Sequence, residues 1–189
     1  MAFQLTLTRP VTDDELLEIS ERNPGFQFER DAHGVLIVTP TGSEAGRREL
    51  ELGSQLHTWA KREGTGIAFG PSAGFRLPDG SIRSPDASWV RRDRWEALTR
   101  GEHSGFAPLC PDAVFEIASE SDSALELRRK MAAYLDNGVH LGVLILPQSR
   151  TVELYRPGGI MSQPTFPHEV ALDPELPGFV LQLDELWAS

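Results

Sequence analysis

Two short β-prone runs each carry a carboxylate where a core residue would be expected, and no other pattern in the sequence constrains the fold as much. The first is Ser84-Pro85-Asp86-Ala87-Ser88-Trp89-Val90; the second is Pro111-Asp112-Ala113-Val114-Phe115-Glu116-Ile117-Ala118-Ser119. Alternate residues of an extended strand share a face. Asp86 therefore falls with Ser88 and Val90, and Glu116 with Val114 and Ala118. Both acids stand among small residues, which leaves room for a cation and water. A buried charge without a partner is strongly unfavourable. If the two runs pair in one sheet the carboxylates converge, and converging carboxylate oxygens suit hard divalent cations.

A helix expected over residues 123–137 follows the second run and stops at Gly138, a residue suited to a left-handed cap. Leu127, Met131, Tyr134 and Leu135 form its buried stripe, and at about 100° per residue Lys130 falls at the edge of that stripe. Lys130 can thus lean over the end of the Glu116 strand, while Arg129 projects toward water. An acidic pair with a lysine is a minimal kit for metal-assisted phosphodiester cleavage, the ammonium orienting a water or balancing charge on the phosphate. Each residue also has a plainer reading: Asp86 as a loop terminator after Pro85, Glu116 and Lys130 as a structural ion pair, Lys130 as a solvated helix lysine. Only the three together point to catalysis.

Thr12 and Glu15 match a capping box, so a helix is expected over 13–21, ending at Asn23-Pro24-Gly25. Residues 26–29 and 35–39 read as a hairpin around Asp31-Ala32-His33-Gly34. Ser43 is placed to cap a long helix over 44–62, with Ala45, Leu52, Leu56 and Trp59 along one face. Glu49 lies on that face too, an unusual place for a charge. Strands are expected at 67–69, 74–77 and 81–83, with Asp79-Gly80 as a hairpin turn, and later at 142–146, 151–155 and 179–183. A short helix over 92–99 should precede a loop that reaches Asp112. The expected class is α/β (α+β): a mixed β-sheet flanked by helices, with an N-terminal helix and β-hairpin, in one domain over residues 1–189.

The net charge of −10 argues against a protein that coats nucleic acid, since phosphate binding ordinarily needs a basic surface. It leaves open an enzyme that meets its substrate locally through metal ions. Arg76, Arg83, Arg91, Arg92 and Arg94 form the one basic concentration near the expected site, and Arg128 and Arg129 lie beside Lys130. Cys110 is the only cysteine, which excludes an internal disulfide and a cysteine-based zinc site. Neither a membrane anchor nor a signal peptide is expected, so a cytoplasmic setting is the default. His33, His57, His103, His140 and His168 show no metal-ligand spacing, and neither a nucleophile elbow nor a phosphate-binding glycine loop is present. Ser119 and Ser121 with Asp122 are expected to cap the following helix. Glu44 and Glu49 are further candidate carboxylates for the site, although Glu44 equally suits a first-turn acid facing the helix dipole.

With these residues assembled, the chain resembles the Uma-two (Uma2) family, restriction-endonuclease-like proteins of the PD-(D/E)XK nuclease superfamily. The likeness runs through Pro40-Thr41-Gly42 with Glu44 and Gly46, Gly74-Phe75-Arg76-Leu77-Pro78, and Arg83-Ser84-Pro85-Asp86-Ala87-Ser88-Trp89-Val90. It continues through Phe115-Glu116-Ile117, Lys130-Met131, Tyr134, Asn137-Gly138-Val139 and Leu176-Pro177-Gly178-Phe179. The resemblance implies a restriction-endonuclease-like core and a metal-dependent endonuclease hydrolysing phosphodiester bonds of DNA. It implies Asp86 and Glu116 as ligands of Mg²⁺ (or Mn²⁺), beside the Ile117 backbone carbonyl, and Lys130 as a catalytic lysine displaced from the strand to the next helix. A homodimer is also implied. Two departures matter: Ala118 stands where the superfamily lysine would follow the second acid, and Leu146 stands where relatives carry an aspartate before Pro147. Basic residues that relatives place around Ala118 and Glu120 are missing as well. A catalytically silent homodimeric binding module on the same fold is the competing expectation.

Overall fold

The computed structural model describes residues 2–162 and 166–188. Its first helix forms where the capping box predicts. Thr12 Oγ1 accepts the Glu15 N–H at 3.2 Å, and the Glu15 carboxylate accepts the Thr12 N–H at 2.8 Å. These two bonds satisfy donors that a helix start otherwise leaves open. Strand β1 (Phe3–Leu5), too short to stand out in the sequence, precedes this helix, α1 (Asp13–Arg22). Strands β2 (Phe26–Arg30) and β3 (Leu36–Pro40) follow as the expected hairpin. Helix α2 (Ser43–Glu63) starts a residue earlier than expected, with Gly42 rather than Ser43 in the cap position. It closes on Gly64 at φ 71°, a left-handed conformation that glycine adopts without a Cβ penalty.

Strands β4 (Gly66–Phe69), β5 (Phe75–Arg76), β6 (Ile82–Arg83) and β7 (Ala87–Arg91) come next. Helix α3 (Arg92–Glu96) is shorter than expected, and α4 (Arg100–Ser104) occupies what reads as loop. Thr99 and Glu102 build a second capping box there, with the same spacing as Thr12 and Glu15. Then follow β8 (Ala113–Ile117), α5 (Ala124–Asp136), β9 (Leu141–Leu146) and β10 (Thr151–Arg156). The chain ends with β11 (Gly159–Ser162), β12 (Glu169–Ala171), β13 (Val180–Gln182) and α6 (Asp184–Trp187). The cap of α5 corrects the sequence expectation: Ser123 supplies it, accepting the Glu126 N–H. Asp122 instead closes a turn on Ser119, accepting its N–H at 2.9 Å and its hydroxyl at 2.7 Å.

One sheet has the order β1-β3-β2-β6-β5, and a six-stranded sheet has the order β11-β10-β9-β8-β7-β4. In the larger sheet β8 and β9 are parallel. Parallel neighbours cannot be joined by a tight turn, so α5 serves as their crossover. The pleat divides the larger sheet between two helices. Ala87, Trp89, Ala113, Phe115 and Val143 face Leu52, Leu56 and Trp59 of α2. Val90, Val114 and Leu144 face Met131 and Tyr134 of α5. Glu116, two residues beyond Val114, therefore projects toward α5. Helix α5 also ties the two sheets together. Asn137, next to its end, accepts the Asp79 N–H and donates to the Asp79 carboxylate, each at 2.9 Å, which fixes the β5–β6 turn. The result is the mixed α/β architecture expected from the sequence. Among the described residues no helix is long and apolar enough to cross a membrane.

Candidate functional site

Strands β7 and β8 run antiparallel, with Ala87 opposite Phe115 and Ser88 opposite Val114. One more step along this register brings Asp86 opposite Glu116. Asp86 sits in the bend leading into β7 rather than inside the strand. Its Oδ2 accepts the Ile117 N–H at 2.7 Å, so a side chain continues the ladder where the backbone leaves it. Glu116 is 3% exposed, and its Oε1 accepts from Lys130 Nζ at 2.8 Å and from the Tyr134 hydroxyl at 3.0 Å. Asp86, Glu116 and Lys130 are thus brought together, as the alternation and the helix geometry predict.

A fourth member was missed. Glu29 of β2 lies 3.0 Å from Lys130 Nζ through Oε1 and 3.3 Å from Arg83 Nη1 through Oε2. Its Oε1 also accepts the Ser84 N–H at 2.7 Å. Glu29 is itself buried, and it reaches the site from the other sheet. In Phe26-Gln27-Phe28-Glu29-Arg30 it occupies the polar phase of an alternating strand, a pattern that a solvent-facing glutamate gives equally. Only the apposition of two sheets distinguishes it.

The cluster holds three carboxylates against the cations of Lys130 and Arg83. Burial pushes the Asp86 carboxyl well above its usual range and Glu116 pushes it further, while Lys130 and the Ile117 N–H pull the other way. Burial also raises the Glu116 carboxyl, against the pull of Lys130. Glu29 is displaced downward although burial opposes this, because it faces both Lys130 and Arg83. Arg83 and the Ser84 N–H favour the charged form of Glu29, whereas Glu116 has neither of them and is repelled by Glu29. Burial disfavours the Lys130 charge, yet Glu116 and Glu29 outweigh it and hold the ammonium above its ordinary range. One carboxylate is therefore in excess, and Asp86 bears it.

The cluster opens into a cleft of about 670 Å³, within the roughly 300–1,000 Å³ common for small-ligand sites. Gln4, Gln27, Ile37 and Thr39 of the smaller sheet wall one side; Ser123, Glu126 and Arg129 at the start of α5 wall the other. Six carboxylates line it (Glu29, Asp31, Asp86, Glu116, Asp122 and Glu126) against the cations Arg83, Arg129 and Lys130. The basic concentration expected from the sequence is dispersed into ion pairs elsewhere. Arg76 pairs with Asp13, Arg91 with Asp93, Arg92 with Glu96, Arg94 with Asp112 and Arg128 with Glu153. Neighbours in sequence are not neighbours in space here, and of these arginines only Arg83 contacts the cluster.

The remaining candidates divide. Glu49 is half-buried on α2, its carboxyl raised by burial, and its charge adds to the upward pressure on Asp86. Glu44 stands in the first turn of α2, exposed and paired with Arg47 and Arg48. Ile117 lines the cleft, and the contact it makes is through its N–H. Among the described residues no three His, Cys, Asp or Glu side chains are grouped to hold a metal ion by themselves. Asp86 and Glu116 nevertheless fit a hard cation that takes most of its oxygens elsewhere. Magnesium in particular is commonly held by one or two carboxylates plus waters and phosphate, and the excess carboxylate supplies the charge that such an ion would balance.

The fold has a solved counterpart. The crystal structure of "a putative nuclease belonging to DUF820" from Anabaena variabilis superposes with a TM-score of 0.73 at 24% identity, covering 94% of this chain and 98% of that one. A cryo-EM structure of a DrdV–DNA complex overlaps 65% of this chain and 12% of its own at a TM-score of 0.40 and 11% identity, too partial a likeness to weigh. No curated protein matches the sequence. The family match spans nearly the whole chain and contains Glu29, Asp86, Glu116 and Lys130: over residues 13–184 the chain belongs to the Uma2 family, described as "Putative restriction endonuclease".

Proposed function

We propose that the chain is a divalent-metal-dependent nuclease that hydrolyses phosphodiester bonds of DNA. The observation that carries this reading is the convergence of Asp86, Glu116 and Lys130 on one cleft, with a carboxylate in excess of the cations beside it. Asp86 and Glu116 would hold Mg²⁺ (or Mn²⁺), with the Ile117 carbonyl and Glu49 next to them. A bound ion of this kind lowers the pKa of water and neutralises the phosphate. Lys130, anchored at Glu116, is placed to orient the attacking water or to balance charge on the non-bridging oxygens. Water would give a proton to solvent as its oxygen bonds to phosphorus and the bond to the leaving oxygen breaks, and that leaving oxygen would take a proton from solvent.

The excess of acids in the cleft limits the substrate it suits. Binding through many phosphates needs many cations, so a short or single-stranded segment fits this cleft better than a long duplex track. The test is cleavage of supercoiled plasmid and of single-stranded oligonucleotides with Mg²⁺ or Mn²⁺, against Glu116→Ala. Wild type should exceed the variant by at least about 100-fold, in line with loss of a site acting as a unit. Rates equal to the variant on every substrate and metal would refute catalysis. That result would favour the second reading, a homodimeric binding module, which the commitment of Lys130 to two carboxylates supports. Light scattering on the purified chain tests the homodimer under either reading.

A further inference from the structure

We infer that Glu29 is a positioning residue, holding both Lys130 and the approach to Asp86 in place when Glu116 turns its charge toward a cation. This rests on the metal-site reading above. An ammonium offers three donors, and Lys130 directs one to Glu116 at 2.8 Å and one to Glu29 at 3.0 Å. The Lys130 side chain is only 18% exposed, so it cannot exchange these partners for bulk water in place. A cation at Glu116 would repel the ammonium. With Glu116 as its sole partner, Lys130 would either leave the cluster or stay clamped to Glu116 and compete for the site.

Glu29 removes that conflict. It comes from β2 in the smaller sheet, whereas Glu116 is on β8 of the larger one. Arg83 Nη1 at 3.3 Å and the Ser84 N–H at 2.7 Å fix its carboxylate independently of Lys130. Lys130 can therefore remain bonded on the Glu29 side while Glu116 changes partner. The Ser84 contact reaches the loop two residues ahead of Asp86, so the same carboxylate also hangs the bend from which Asp86 projects.

Calorimetry with Mn²⁺ on the full chain tests this, using wild type, Glu29→Gln, Lys130→Met and the double variant. Glu29→Gln should weaken Mn²⁺ binding by about tenfold, the lower range for loss of a partner behind a metal ligand, because Glu116 is then the one carboxylate left bonded to Lys130. Adding Lys130→Met removes the competitor and should return affinity to within about threefold of wild type, a reversal that a purely structural role for Glu29 would not give. Unchanged affinity in Glu29→Gln, or a double variant no tighter than Glu29→Gln, overturns the inference. Wild type that does not bind Mn²⁺ overturns the metal site itself and the inference with it, a result distinct from either of those. If Glu29→Gln does not melt cooperatively, Glu29→Asp carries the same test: the charge is kept but withdrawn by one methylene, so a partial loss of affinity should again be recovered by Lys130→Met.

Discussion

Asp86→Asn should stabilise the metal-free protein. The cluster sets Glu29, Asp86 and Glu116 against Lys130 and Arg83, and an amide at position 86 leaves it neutral. Opposed residues on antiparallel strands lie with Cβ atoms about 5 Å apart. Two unit charges at that separation repel by roughly 3 kcal/mol at an effective dielectric of about 20. Attraction to Lys130 and the bond from the Ile117 N–H offset part of this. The asparagine oxygen can still accept from Ile117, so the net gain should be about 1–2 kcal/mol, in the range of other single stabilising substitutions. For a chain of 189 residues that is a rise of roughly 3–6 °C in Tm, read by thermal and urea unfolding in EDTA. The pH dependence identifies the cause. The Asp86 carboxyl is raised in the folded state, so wild type loses stability as pH rises above the unfolded carboxylate range near about 4. The advantage of the variant should be absent near pH 3, where the aspartate is protonated in both states, and should grow as pH rises toward the raised folded-state range of the carboxyl. A variant no more stable than wild type at pH 7, or a gain that persists unchanged at pH 3, would refute the charge argument.

Two further outcomes follow from contacts away from the cleft. A Cβ added at Gly66 would sit 2.3 Å from the Trp89 indole, which is held between β4 and the Trp59 ring; Gly66→Ala should cost about 1–3 kcal/mol by overpacking, and unchanged urea unfolding would show that the indole shifts freely. Glu153 is depressed by its bond from Arg128, helped by the Tyr155 hydroxyl at 2.7 Å; a depressed carboxylate stabilises above its unfolded pKa and loses that as pH falls. Arg128 is half exposed, so the effect is modest: Glu153→Gln should cost about 1–2 kcal/mol at pH 6 and nearly nothing at pH 3, and a cost independent of pH would assign it to packing instead.

What the sequence discloses and what it hides divide along a physical line. Signals contained within one element are readable. The capping box at Thr12 and Glu15 sets the start of α1, and period-two alternation places Glu116 on the α5 face. Asp86 lands on the correct side although it lies outside β7, because the register persists one step past the strand. The same kind of signal at Thr99 and Glu102 marks α4 and was available, but the glycine, proline and histidine around it outweighed it. Signals that depend on two elements meeting are hidden. Glu29 shares no motif with Glu116, and the arginines near Asp86 in sequence are taken up by carboxylates that folding brings to them.

On the proposed reading the cluster is a working site, and its energetics separate that reading from a purely structural one. Buried ion pairs are weak stabilisers, and well-packed apolar residues in their place are often neutral or better. A structural pair would also balance its charges, whereas this one carries an uncompensated carboxylate at Asp86. The members should therefore respond with opposite signs. Neutralising Asp86 relieves repulsion and stabilises, while neutralising Glu29 removes the carboxylate that Arg83 and Lys130 both contact and destabilises. A group of residues held together only for stability would lose it at every member, so a gain at Asp86 beside a loss at Glu29 would support the proposed cation site.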